Sequence, residues 1–108
     1  MSEGESLSLV LQINNPVGLH ARPAALFVQT AGEFQANVQV RNITRGTPFV
    51  DAKSILGVMS IGVAQGHEIE IVASGEDAAE ALQALKALAE SNFGEGETET
   101  ESKTESKG

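Results

Sequence analysis

The chain has 108 residues, 41% of them apolar, with no Cys, Trp or Tyr, only two His, and a formal net charge of −8. That length fits one domain of the commonest size, roughly 100 to 150 residues, built around an aliphatic core. The missing cysteines exclude a disulfide framework and a thiolate metal site, and two histidines are a poor basis for zinc. The acidic balance speaks against nucleic acid, whose affinity comes largely from Lys and Arg. No apolar stretch approaches the roughly 18 residues of a membrane span, and Met1-Ser2-Glu3-Gly4-Glu5 lacks the positive flank of a signal peptide. The expectation is a cytoplasmic, monomeric protein whose partners are other proteins.

Residues 1–6 are expected to be a flexible N-terminus. The stretch 7–13, rich in Leu, Val and Ile, predicts a strand that ends in a turn at Asn14-Asn15-Pro16. After His20, residues Ala24, Phe27, Val28 and Ala31 recur at helical spacing, with Gly32 as a stop. Residues 36–43 read as a strand with Ala36, Val38 and Val40 on one face, joined through Thr44-Arg45-Gly46-Thr47 to a shorter strand over 49–52. Pro48 lacks a backbone donor and limits that second strand. Ser54 reads as the N-cap of a short helix kept short by Gly57 and Gly62. Gly66 opens another strand, in which Ile69 and Ile71 alternate with Glu68 and Glu70, before Ser74-Gly75 turns the chain. Ser74 and Asp77 have capping-box spacing, and a last helix over 76–91 places Ala78, Leu82, Leu85 and Ala89 on one face, with two acids in its first turn. The order is βαββαβα, which predicts an α+β open-faced sandwich: a four-stranded antiparallel sheet with three helices on one face. Residues 7–92 form this domain. Residues 93–108 are expected to be an acidic, disordered tail, because GEGETETESKTESKG holds no apolar residue to offset the entropy of ordering it.

Chemistry concentrates in Gly18-Leu19-His20-Ala21-Arg22-Pro23-Ala24, where a turn meets the first helix. His20 stands at the helix start, the free amides of the first turn at Ala21 and Arg22 face the same corner, and Arg22 adds a cation. Pro23 fits because a first-turn N–H has no helical acceptor to lose. A neutral imidazole nitrogen can attack phosphorus, and the phosphoryl oxygens then meet the amides and Arg22. From spacing alone, His20 as a simple cap and Arg22 as a solvated surface residue is the favoured reading.

The string GLHARPA over 18–24 resembles the active-site signature of HPr, the histidine phosphocarrier of the bacterial phosphoenolpyruvate:sugar phosphotransferase system. The resemblance extends over about residues 7–92 and includes a second block, KSILGVMSIG over 53–62. It implies that His20 is phosphorylated on Nδ1 by Enzyme I using phosphoenolpyruvate, assisted by Arg22. The phosphoryl group then passes to sugar-specific A components of the system. It also implies a stoichiometric carrier with no turnover of its own and no cofactor. In Gram-positive and related relatives the serine matching Ser54 is phosphorylated by an ATP-dependent HPr kinase/phosphorylase, so Ser54 is a candidate regulatory phosphoserine as well as a cap.

Ile55, Leu56, Met59 and Ile61 cannot all be core residues of so short a helix, which makes Ile55, Leu56 and Met59 candidates for partner contact. His67 reads as a surface residue, and Arg41, Arg45 and Lys53 as a possible basic patch. Two features depart from the family: 42–51 is a few residues longer than usual, and Pro16-Val17 occupies the place of small polar residues beside the histidine. Two other functions stay open. One is a regulatory module whose Ser54-phosphorylated form acts as corepressor with a catabolite-control transcription regulator. The other is a carrier in a nitrogen-related or dihydroxyacetone-kinase branch, which would still use His20.

Overall fold

The computed structural model describes residues 6–94. The strand β1 (Ser6–Gln12) leads through a turn to helix α1 (Ala21–Gly32), and β2 (Asn37–Asn42) and the two-residue β3 (Val50–Asp51) follow. The short helix α2 (Ile55–Ser60), β4 (Glu68–Ser74) and helix α3 (Ala78–Glu90) complete the order, and a 3-10 turn lies at Asn92–Gly94. The expected βαββαβα sandwich is therefore present.

The four strands form one antiparallel sheet in the order β1-β4-β2-β3. Alternation decides which face is buried: Leu9 and Val40 both pair with Ile71, and these residues, with Leu11, Val38 and Ile69, turn toward the helices. The helices answer with Ala24, Phe27 and Ala31 of α1, Val58 of α2, and Ala78, Leu82 and Leu85 of α3. The other face is polar, and there the cross-strand pair Arg41 and Glu70 forms an ion pair at 2.8 Å, with the guanidinium carbon also 5.2 Å from the Phe49 ring centre. Among the described residues, no helix is long and apolar enough to cross a membrane.

Several local expectations are corrected. The short strand keeps only Val50–Asp51, because Pro48 and Phe49 remain outside the ladder. The first helix does end at Gly32, as expected, with Glu33 at φ −76° as its C-cap. The Ser74 to Asp77 capping box is not made. The last helix starts at Ala78, its first-turn acid is Glu80, and the Asp77 carboxylate points elsewhere. It accepts the main-chain N–H of Gln35 at 2.9 Å and of Ala36 at 2.8 Å, tying the entry of α3 to the loop between α1 and β2. Donation from Gln35 above all, against opposing desolvation and with help from Ala36 and Lys53, holds this carboxyl below the ordinary aspartate value.

The domain also reaches further than expected at both ends. Ser6 belongs to β1, and Phe93, assigned to the tail, is buried in the core. Asn92 and Phe93 both have φ of 55°, which turns the ring back under α3. Burying a Phe side chain contributes about 1.5 to 3 kcal/mol, which offsets the roughly 1 to 2 kcal/mol of a left-handed Phe93, while Asn at position 92 adopts this conformation routinely. The expected flexible residues 1–5 and the acidic segment 95–108 lie outside the described residues.

Candidate functional site

His20 occupies the N-cap position of α1 with extended backbone angles, φ −97° and ψ −171°, and its ring makes no capping bond to the helix. The ring is therefore exposed while its main chain is fixed, since its carbonyl accepts the Ala24 N–H at 2.8 Å. Ala21 and Arg22 are exposed, whereas Pro23 and Ala24 are buried and root the first turn in the core. The amides of Ala21 and Arg22, in the first turn that follows His20, have no helical acceptor and lie at the positive end of the helix dipole. Among the described residues Arg22 joins no ion pair, which leaves its cation available to an anion.

The turn before His20 is held from two sides. Gly18 N–H donates to the Asn15 carbonyl at 3.1 Å, and the buried Asn15 side chain returns a bond from Nδ2 to the Gly18 carbonyl at 2.9 Å. Leu19 is buried and donates its N–H to the Val63 carbonyl at 3.0 Å. Gly18 has φ +62°, and a Cβ there would stand 2.2 Å from the Val63 oxygen. Only glycine lets the two backbones meet this closely. The result is a corner with a restrained backbone that presents an exposed imidazole to solvent.

Ser54 is the N-cap of α2, as its sequence position implies, and its Oγ accepts the Gly57 N–H at 3.0 Å. Of the three candidate contact residues, Leu56 is 78% exposed and Ile55 39%, while Met59 is half-buried and packs against the core. Ile61 is buried. Val17, 49% exposed and three residues before His20, is a further apolar surface residue that the sequence reading did not assign to contact. Its place in an exposed turn was the available signal.

The expected basic patch does not form. Arg41 is committed to Glu70, and Lys53 Nζ donates to the Phe34 carbonyl at 2.8 Å. Arg45 lies over Gly62, where an added Cβ would meet its guanidinium at 2.8 Å. His67 is likewise not a plain surface residue. It is half-buried, and its Nδ1 accepts from the Ala64 N–H and the Asn42 amide, each at 3.1 Å. Among the described residues no cluster of His, Asp or Glu is arranged to hold a metal ion.

Fold and corner together define a class of small open-faced sandwiches that present a histidine at a helix N-terminus. The sequence model of the PTS-HPr family, described as the PTS HPr component phosphorylation site, matches residues 7–91. The phosphocarrier protein HPr of Neisseria meningitidis serogroup A is 44% identical over 87 residues, which are 81% of this chain and 94% of that protein. The multiphosphoryl transfer protein of Haemophilus influenzae is 38% identical over 90 residues, 83% of this chain, although the chain spans only 18% of its length. Among solved structures, HPr-C-His from Thermoanaerobacter tengcongensis superposes with a TM-score of 0.77 at 48% identity, covering 82% of this chain and 96% of that one. The chain belongs to the HPr family, the phosphocarriers of the phosphotransferase system.

Proposed function

We propose that His20 is the phosphoryl acceptor: Nδ1 attacks the phosphorus carried by Enzyme I, a phosphorus–nitrogen bond forms, and the bond to the donor breaks. The group then leaves by the reverse chemistry to a sugar-specific A component. What supports this reading is an exposed His20 whose ring makes no capping bond, at the head of a helix whose first-turn amides at Ala21 and Arg22 have no helical acceptor, on a corner whose backbone is tied down at Gly18, Leu19 and Ala24. Nucleophile and anion pocket coincide, so little reorganisation is needed as charge arrives on the phosphoryl oxygens. Arg22 supplies the mobile counter-charge, and Leu56 with Ile55 forms the apolar part of the docking face. Incubation with phosphoenolpyruvate and Enzyme I should add one acid-labile, base-stable phosphoryl group, read by intact mass. Undiminished labelling of His20→Ala would falsify the assignment.

Ser54 has a regulatory role in the same reading. A phosphate on its Oγ brings about −1.5 to −2 charge to the start of α2, where the dipole favours it, so the fold is kept while an acidic partner is repelled. Ser54→Asp should slow phosphorylation of His20 at low salt and recover as salt rises, with Ser54→Ala close to wild type. Equal initial rates for Asp and wild type at low salt would leave Ser54 as a helix cap alone.

A further inference from the structure

The corner that carries His20 leans on a stretch, 61–67, that has no regular secondary structure of its own. What fixes this stretch is a buried side-chain hub far from His20 in sequence. Asn42, at the end of β2, is fully buried, and its Nδ2 donates to the Ile61 carbonyl at 3.0 Å and to His67 Nδ1 at 3.1 Å, with the Gly62 carbonyl at 3.4 Å. Its Oδ1 accepts the Arg45 N–H at 3.2 Å, and its main chain exchanges bonds with Thr47 in both directions. His67 Nδ1 takes a second bond from the Ala64 N–H at 3.1 Å. Both partners reach Nδ1 through N–H groups, which can only donate, so Nδ1 carries the lone pair and the ring proton sits on Nε2. Both ends of 61–64 are thereby clamped. Between them, Val63 offers its carbonyl to Leu19, the residue before His20, and forms the surface against which Gly18 closes.

We infer that Asn42 and His67 are positioning residues for phosphoryl transfer, holding the 61–64 shelf so that His20 and the amides of Ala21 and Arg22 keep their attack geometry. The inference rests on His20 being the acceptor. The hub lies on β2 and at the entry to β4, outside the helices that carry His20 and the apolar docking residues. It therefore acts on the chemical step and leaves docking alone. Loss of the Nδ1 acceptor strands one Asn42 N–H and the Ala64 N–H, and the shelf shifts to re-pair them. A displacement well under 1 Å at the corner is enough to matter, because misplacement by about 1 Å can cost 10²-fold in rate.

The test compares wild type, His67→Leu, which removes the acceptor, and His67→Asn, whose Oδ1 can stand close to where Nδ1 stood. The readouts are kcat and KM of Enzyme I with the carrier as substrate, and the amide resonances of Gly18, Leu19 and His20. His67→Leu should lower kcat by roughly 10-fold with KM nearly unchanged, about the transition-state value of one positioning bond. It should also shift those three resonances. His67→Asn should return both toward wild type. A folded His67→Leu protein with wild-type kcat overturns the inference, as does a His67→Asn protein as slow as the Leu variant. Should wild type take no label on His20, the acceptor assignment fails, and unmoved Leu19 and His20 resonances in His67→Leu would then overturn the shelf separately.

Discussion

Substitution of Gly18 by Ala isolates the close approach on which the site is built. The new Cβ would stand 2.2 Å from the Val63 oxygen, 2.8 Å from Ala64 Cα and 3.0 Å from Ala64 C, all main-chain atoms that cannot swing aside. The backbone at φ +62° adds its own cost. A left-handed residue bearing a Cβ loses about 1 to 2 kcal/mol, and overpacking against fixed atoms typically adds 1 to 3. The sum, roughly 2 to 5 kcal/mol, corresponds to a fall in Tm of roughly 10 to 30 °C for a domain of this size. Gly46 is the natural control, because it has φ +68° but nothing within 4 Å of its ideal Cβ. Gly46→Ala should therefore lose only the backbone part, about 1 to 2 kcal/mol. Urea denaturation of the two variants, with equal m-values, measures the difference directly. If Gly18→Ala is no less stable than Gly46→Ala, the contact with Val63 and Ala64 is not restraining the corner.

Arg22→Ala should leave stability within about ±0.5 kcal/mol, since the side chain is exposed and joins no ion pair among the described residues. Loss of one charge-assisted contact should still slow phosphoryl transfer about 10- to 150-fold, measured as kcat/KM. Leu56→Ser should likewise keep its urea midpoint, given 78% exposure, while raising the KM of Enzyme I for the carrier; an unchanged KM would remove Leu56 from the docking face. Asp77 has a lowered folded value, so its contribution to stability is complete above the ordinary carboxylate value of about 3.9 and is lost as pH falls through the lower one. Asp77→Asn should be less stable at neutral pH, and the gap to wild type should narrow below pH ~4, as followed by Tm against pH.

Much of this molecule was legible from short-range pattern. The i, i+3, i+4, i+7 spacing of Ala24, Phe27, Val28 and Ala31 locates α1, and GLHARPA marks the corner because the residues of the site are contiguous in the chain. Ser54 as a cap is equally local. The misses share a different cause. Asp77 reads as a capping acid until Gln35 and Ala36, 42 and 41 residues away, present two amides to it. His67 reads as surface until the fold brings Asn42 within 3.1 Å. Phe93 follows a polar pair and precedes an acidic run, so no periodicity marks it, and its burial depends on two left-handed residues in succession. The basic patch fails for the same reason: Arg41 and Lys53 each find a partner from a distant part of the chain.

Pro23 limits how many free amides the corner at the start of α1 can offer. An α-helix ordinarily begins with several amides that have no internal acceptor. Here the third position has no N–H at all, and the fourth, at Ala24, is already spent on the His20 carbonyl at 2.8 Å. The corner therefore offers an arriving anion two amides. A third would deepen the well of the phosphorylated state by about 1.5 to 3 kcal/mol, tilting the equilibrium 10- to 150-fold against handing the group onward. With His20 as the acceptor proposed above, a proline at that point would keep the group-transfer potential high, so that a phosphoryl bond made there would stay poised between an upstream donor and a downstream acceptor.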